Sequence, residues 1–181
     1  MPRAWQATPL RRVGGWYLGS LPNATMPLEP SESPAPDVTS LESVEARLRE
    51  ILAAEGVHVV HLWAPWCSNS RHEIEAGWAD LIARHPEATF TFVTVWHDGG
   101  SGREVMEQRR LGDAIEELRL ADLGPSENKE LRHKTLLGLP LTWIPTTWIF
   151  RKQGTLAFAL NYGEMTMPTL GELITASGRT W

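Results

Sequence analysis

Cysteine is almost absent from this sequence: Cys67 is the single example among 181 residues. One cysteine excludes an internal disulfide framework and a Cys-rich zinc site. No stretch approaches the roughly 20 consecutive apolar residues that a membrane span requires. The chain also lacks a cluster of Lys and Arg that would follow nucleic-acid phosphates, and its net charge is −5 at pH 7. These absences predict a globular protein with neither a nucleic-acid nor a membrane partner.

The amino terminus also lacks a secretory pattern. Arg3 is basic, but no apolar run follows it in the first residues of the chain. The missing apolar run predicts a cytoplasmic protein, although a mature chain whose signal had been removed would look similar.

Proline is concentrated at one end of the chain. Residues 1–36 hold seven of the 13 prolines, so this stretch is expected to be extended or irregular rather than helical. Within it, Trp16-Tyr17-Leu18 lies between glycines and is either a short strand docked on the body or part of a loose tail. We therefore predict an N-terminal extension over 1–38 and one folded domain over 39–181.

Hydrophobic periodicity in the domain predicts alternating helices and strands. A first helix is expected to begin at a capping box formed by Thr39 and Glu42 and to end at Gly56. The next expected elements are a buried strand, a helix and a second core strand, at Val57–Trp63, Cys67 to about Arg84, and Thr89–Trp96.

The carboxyl-terminal half is expected to contain more helix and a hairpin. Residues 97–138 are charged and are predicted to be mostly helical. Thr146–Arg151 and Thr155–Tyr162 flank a Lys-Gln-Gly turn, which predicts a β-hairpin, and a last helix is expected near Pro168. This order of elements predicts an α/β layer fold with an antiparallel edge.

One local arrangement of residues, at the junction of the buried strand and the following helix, predicts a reactive site. The buried strand leads through Ala64-Pro65-Trp66 into Cys67-Ser68-Asn69-Ser70 at a predicted helix start. Backbone N–H groups at a helix N-terminus are unpaired and carry partial positive charge, which stabilises a thiolate at Cys67. Ser70 follows one turn later, where its hydroxyl can donate to the sulfur. The alternative is that Cys67 is simply a small buried hydrophobic residue.

Two segments resemble the thioredoxin family. Val59–Cys67 (VVHLWAPWC) resembles its active-site strand and loop, and Trp143–Phe150 (WIPTTWIF) resembles its cis-proline loop and the following strand. The resemblance covers residues 39–178 and implies a three-layer sandwich, with a mixed central sheet, a C-terminal antiparallel hairpin and helices on both faces. The extra residues over 97–138 resemble a helical insertion before the cis-proline loop, as in bacterial thiol-disulfide oxidoreductases.

The resemblance also implies roles for individual residues. Cys67 matches the attacking cysteine, and Trp66 matches the tryptophan packed beside it. Pro145 matches the cis-proline, and the backbone of Ile144 before it would pair with an extended substrate. Trp143 is expected to gather near the same site. Without the resemblance, Pro145 would be interpreted as an ordinary proline at the start of a strand.

Two departures from the family pattern limit the chemistry. Ser70 replaces the resolving cysteine, and a serine hydroxyl cannot attack a mixed disulfide to release the substrate. An ordinary dithiol reductase is therefore excluded. His61 stands where thioredoxins carry a buried aspartate; it is either an acid–base group near the sulfur or a core histidine without a chemical role.

Three functions are compatible with these residues. The first is a monothiol exchange protein that forms mixed disulfides through Cys67 with protein thiols and disulfides or with glutathione, and is released by an external thiol. The second is a non-catalytic binding module that uses the groove around Cys67, Trp143 and Pro145. The third is a glutathione-dependent, monothiol glutaredoxin-like role, which the missing Gly-Phe pair after Cys67 disfavours. No cofactor or metal is expected, apart from glutathione as the external thiol.

Overall fold

The computed structural model describes residues 40–164 and 166–179. The predicted N-terminal extension, its candidate strand and Thr39 of the predicted capping box lie outside the described residues. The helices are α1 (Leu41–Ala53), α2 (Ser68–Glu75), α3 (Trp78–Arg84), α4 (Arg103–Gln108) and α5 (Met167–Ser177). The strands are β1 (Val57–Trp63), β2 (Ala88–Thr94), β3 (Glu116–Arg119), β4 (Thr135–Leu136), β5 (Leu139–Pro140), β6 (Thr146–Arg151) and β7 (Thr155–Asn161).

The main sheet is mixed and has the strand order β3-β2-β1-β6-β7. β1 pairs in parallel with β2, and β2 with β3, whereas β6 lies antiparallel to both β1 and β7. Every residue of the central strand β1 is buried, because both faces of the sheet are covered. The predicted core strands and the C-terminal hairpin are confirmed.

Helices cover the sheet on both faces. On one face α1 packs Val44, Leu48 and Leu52 against inward-facing residues of β1, β2 and β6. On the other face, α2, α3 and α5 pack against the alternate residues of the same strands. The helices contribute Trp78 of α3 and Ile174 of α5 to this second core cluster. The predicted three-layer sandwich is therefore confirmed.

The first helix has a different cap from the one predicted. Ser40 is the N-cap of α1, and its hydroxyl accepts a hydrogen bond from the Ser43 N–H at 3.2 Å. The residue before the helix therefore satisfies one of the unpaired N–H groups of the first turn.

In the described part of the chain, no helix is both long enough and apolar enough to span a membrane.

The single helix predicted from Cys67 to Arg84 is in fact two helices. α2 ends at Glu75 and α3 begins at Trp78, with Gly77 between them at a φ of +126°. A side chain at Gly77 would meet nothing closer than Met167 Cγ at 3.8 Å, so the backbone angle rather than space requires glycine. The break ends the short helix that follows Cys67.

The predicted helical insertion over 97–138 is wrong. This region contains only one α-helix, the six-residue α4, with short 3₁₀ turns at Gly112–Ala114 and Lys129–Leu131. Its other main element is β3, a strand at the edge of the sheet that pairs with β2. The Glu-Glu-Leu-Arg sequence of β3 has good helix formers, but pairing with β2 outweighs this local preference. Charged side chains are also common on edge strands.

Candidate functional site

Cys67 stands at the junction between β1 and α2. It is the N-cap residue of α2, and its side chain is half-buried against the core cluster on the α1 face. Its N–H donates to the Ala64 oxygen and its own oxygen accepts from the Arg71 N–H, both at 3.1 Å. The sulfur is therefore carried by the residue where the unpaired N–H groups of a helix begin.

Ser70 lies one turn into α2 and is fully buried. Its Oγ accepts a hydrogen bond from the Ala64 N–H at 3.3 Å. The expected donation from Ser70 to the Cys67 sulfur is not among the hydrogen bonds of the described residues. In this structure Ser70 ties the helix to the end of β1 instead.

Cys67 opens on a cavity of about 420 Å³. Trp66 and Trp143 line it and remain exposed by 43% and 56%, which is high for such large apolar side chains. Ile144 also lines the cavity, and the peptide bond between Ile144 and Pro145 is cis. No hydrogen bond among the described residues engages the main chain of Ile144, so its polar groups can pair with an incoming strand.

A loop reaches Trp66 from the end of β2. The Trp66 Nε1–H donates to the main-chain oxygen of Trp96, which has a φ of +49°. Asp98 in the same loop also has a φ of +49°, and its carboxylate accepts from the Ser126 N–H at 2.7 Å. The contact between Trp66 and Trp96 joins residues 30 positions apart, so no local pattern in the sequence predicts it.

A buried polar group holds this loop in place. The His97 N–H donates to Asp122 Oδ1 at 2.9 Å, and His97 Nδ1 accepts from the Gly99 N–H and from Arg119 Nη2, both at 3.0 Å. The same Nδ1 lies 3.1 Å from Asp122 Oδ2, so a carboxylate and a guanidinium both face it. Burial lowers the pKa of His97, which favours the neutral ring.

Basic side chains form one side of the cavity. Lys129, Arg132 and Lys134 line it together with Trp96, and the Arg132 guanidinium lies 4.7 Å from the centre of the Trp96 ring. In the sequence these three residues are interleaved with other types and form no continuous basic run. The signal that was available is their spacing within six residues, just before the cis-proline loop.

His61 is in the core, on a different side of the sheet from the cluster that Cys67 contacts. It is fully buried, its Nδ1 lies 3.0 Å from Thr147 Oγ1, and its ring centre is 4.7 Å from Trp78 and 4.9 Å from Phe92. Burial lowers its pKa to about 3, so the ring is neutral at physiological pH. The acid–base role stays a prediction, and this burial argues against it.

Glu73 is a buried titratable residue of α2. It follows Ser70 by one turn of α2, on the same buried face, and is only 7% exposed. Burial raises the pKa of its carboxyl to about 7.

Among residues 40–164 and 166–179, no three His, Cys, Asp or Glu side chains gather as a metal site.

Comparison with known proteins identifies the fold. No protein-family model matches the sequence, and no curated protein matches it significantly. Among solved structures, DsbF of Mycobacterium tuberculosis is 21% identical, with a TM-score of 0.50 over 71% of this chain and 84% of that one. A thioredoxin-like protein solved in its oxidised form is 15% identical, with the same TM-score and the same coverage of both chains. These likenesses show that the chain has the thioredoxin-like fold.

Proposed function

We propose that this thioredoxin-like chain exchanges thiols and disulfides with proteins through Cys67 alone. The observation that carries the proposal is the position of Cys67, half-buried at the N-cap of α2 and open to the cavity that it shares with Trp143 and Ile144. An extended segment in that cavity can bring a disulfide within reach of the sulfur.

The exchange runs in two steps. The Cys67 thiolate attacks one sulfur of a substrate disulfide; a new S–S bond forms, the old one breaks, and the departing thiolate takes up a proton. Cys67 is now oxidised in a mixed disulfide, while one substrate sulfur has been reduced. An external thiol then attacks the mixed disulfide, restores the Cys67 thiol and leaves as a disulfide with the substrate.

The external thiol follows from the residue at position 70. Ser70 cannot form a disulfide, so a second molecule must complete the reaction. We propose glutathione or a protein thiol for this step, in the cytoplasm, where such thiols are kept reduced. The two solved relatives are each known in an oxidised form, as expected of redox proteins with this fold. A glutaredoxin-like role stays a prediction.

A second candidate is a binding module without chemistry. Trp66 and Trp143 are exposed and line the same cavity as Cys67, and exposed aromatic side chains are typical of binding surfaces. Such a module would hold a partner segment in the cavity while Cys67 remained unmodified. The two functions differ in whether the bond to the partner is covalent.

The deciding experiment measures adduct formation on the full chain. A neutral cysteine peptide activated as its 2-thiopyridyl disulfide is mixed with the wild type, with Cys67→Ser, and with free cysteine as the reference thiol. We expect wild type to release coloured thiopyridone about tenfold faster than free cysteine at pH 7, with a matching mass adduct. A rate at or below that of free cysteine would favour the binding module, in which Cys67→Ser retains partners as well as the wild type does.

A further inference from the structure

The cavity beside Cys67 has a charge opposite to that of the whole chain. Its lining includes three cationic side chains, Lys129, Arg132 and Lys134, and no carboxylate, whereas the chain carries a net charge of −5. We call these three residues the basic wall. A concentration of one charge in a concave site attracts groups of the opposite charge and raises the rate at which they arrive.

The hydrogen bonds that hold Arg132 and Lys134 of the basic wall go to neutral acceptors. The Arg132 guanidinium stacks on Trp96, and its Nε donates to the Ser126 oxygen, which is a neutral acceptor. Lys134 Nζ likewise donates to the Lys129 oxygen. Asp98 does not line the cavity, but its carboxylate, which accepts from the N–H and hydroxyl of Ser126, also interacts electrostatically with Arg132 and offsets part of the charge of the wall.

One carboxylate stands at the rim of the wall. Glu130 Oε2 lies 3.8 Å from Lys134 Nζ, and the Glu130 side chain is 88% exposed. An ion pair this long and this exposed to water contributes little, so it does not neutralise the wall. Lys129 makes no ion pair among the described residues.

The wall lies where the side chains of a bound segment would reach. Ile144, with its unpaired main chain, and Trp143 line the same cavity as Lys129 and Arg132. A segment that pairs with Ile144 and presents a disulfide to Cys67 therefore passes the wall within a few residues of its own cysteine. The guanidinium of Arg132, which lies over the Trp96 ring, can donate two N–H groups to one carboxylate.

We propose that the preferred substrates are protein segments with Asp or Glu close to the reacting cysteine. This inference rests on the proposed function, since it names the substrate class for exchange at Cys67. The carboxylates increase the rate of encounter and orient the disulfide; the exchange itself follows the two balanced steps given above, with an external thiol as the second reactant.

The test compares matched extended peptides with the full chain. Each peptide carries one cysteine as its 2-thiopyridyl disulfide, a neutral leaving group, and the flanking residues are Asp/Glu, Asn/Gln or Lys. We expect the acidic peptide to react about tenfold faster than the neutral one at low salt. The ratio should fall towards one at high salt, because the charges involved are screened.

Variants then locate the effect. Lys129→Gln with Lys134→Gln should lower the ratio of the acidic-peptide rate to the neutral-peptide rate about threefold. Adding Arg132→Gln should abolish the preference. Lys152→Gln, at the turn between β6 and β7 and at the opposite end of β6 from Pro145, is the matched control and should change nothing. The Lys double variant keeps the test valid if Arg132→Gln disturbs the fold.

The outcomes separate the two proposals. If no peptide reacts faster with wild type than with Cys67→Ser, the proposed function fails. If all three peptides react at one rate that salt does not change, or if the Lys peptide is fastest, exchange stands and the acidic-substrate inference is overturned. If a glutathione thiopyridyl disulfide reacts faster than the acidic peptide, the acidic-substrate inference is also overturned, in favour of a small-thiol substrate.

Discussion

The buried hydroxyl of Ser70 accepts a hydrogen bond from the main-chain N–H of Ala64, with 3.3 Å between the two atoms. Both residues are inaccessible to water. The bond joins the first turn of α2 to the end of β1 and so closes the loop that carries Trp66 and Cys67. Ser70 therefore has a structural partner at the position where the dithiol enzymes of this fold have a second sulfur.

Ser70→Cys should convert the site to one that resolves its own mixed disulfides. A thiol at position 70 lies one helical turn from Cys67, the spacing of the Cys-X-X-Cys motif, and can attack the Cys67 sulfur. We expect a mixed disulfide on Cys67 to persist in the wild type without external thiol and to decay at least about tenfold faster in the variant. Mass spectrometry of the product should show an internal disulfide.

Ser70→Ala is the matched control for that experiment. Alanine removes the bond from the Ala64 N–H and cysteine weakens it, and we expect either change to lower the free energy of unfolding by about 1–2 kcal/mol. Only cysteine can release the bound substrate. If the mixed disulfide lasts as long in Ser70→Cys as in Ser70→Ala, the two side chains do not meet and the proposed resolution step is wrong.

The sheet could be predicted because its central strands have strong sequence signals. Val57–Trp63 and Thr146–Arg151 are rich in β-branched and apolar residues, and Lys152–Gly154 marks the hairpin. β3 could not be predicted in this way. Its four residues favour a helix locally, and what makes them a strand is the exposed edge of β2, which no local pattern contains.

The residues of the site show the same contrast between local sequence motifs and long-range contacts. Cys67, Trp66 and Pro145 lie in local motifs, so the sequence placed them on the correct elements. The contact of Trp66 with Trp96 depends on how the region after β2 folds back. The position of Arg132 over the Trp96 ring depends on the same fold. That region was predicted to be helical, and its residues were consequently missing from the predicted site.

Trp66→Phe should destabilise the protein through one hydrogen bond. The variant keeps the aromatic ring but removes the Nε1–H that donates to the Trp96 oxygen. We expect the free energy of unfolding to fall by about 1 kcal/mol, measured by urea denaturation. Trp143→Phe is the control, because Trp143 is more exposed and makes no side-chain hydrogen bond among the described residues. Equal losses in the two variants would show that the Trp66–Trp96 bond contributes nothing.

Glu73 should make the protein less stable as pH rises. Its folded-state pKa is raised from 4.5 to about 7, so between these values the folded protein keeps a proton that the unfolded chain releases. The free energy of unfolding should fall across this window by up to about 3 kcal/mol. Glu73→Gln should flatten the decline and be more stable than the wild type at pH 8. Glu75→Gln, on the exposed side of α2, should retain the same decline in stability as the wild type. A decline that survives in Glu73→Gln would assign it to another group.

His61 should have the opposite pH dependence. Its pKa is lowered from 6.5 to about 3 by burial, so between these values the unfolded chain binds a proton that the folded protein does not. The free energy of unfolding should therefore rise with pH over this window and level off above it. His61→Leu should flatten the rise, and Thr147→Val, which removes only the partner of Nδ1, should preserve it.

The same variant tests the acid–base role of His61 in exchange. A neutral ring that does not titrate near pH 7 predicts that His61→Leu changes the rate of adduct formation at Cys67 by less than about twofold. A general acid–base group would instead contribute about a hundredfold or more. Loss of that size in His61→Leu, with Thr147→Val unaffected and both variants folded, would establish His61 as the proton carrier despite its burial. An unchanged rate would assign His61 to the core, where it packs against Trp78 and Phe92.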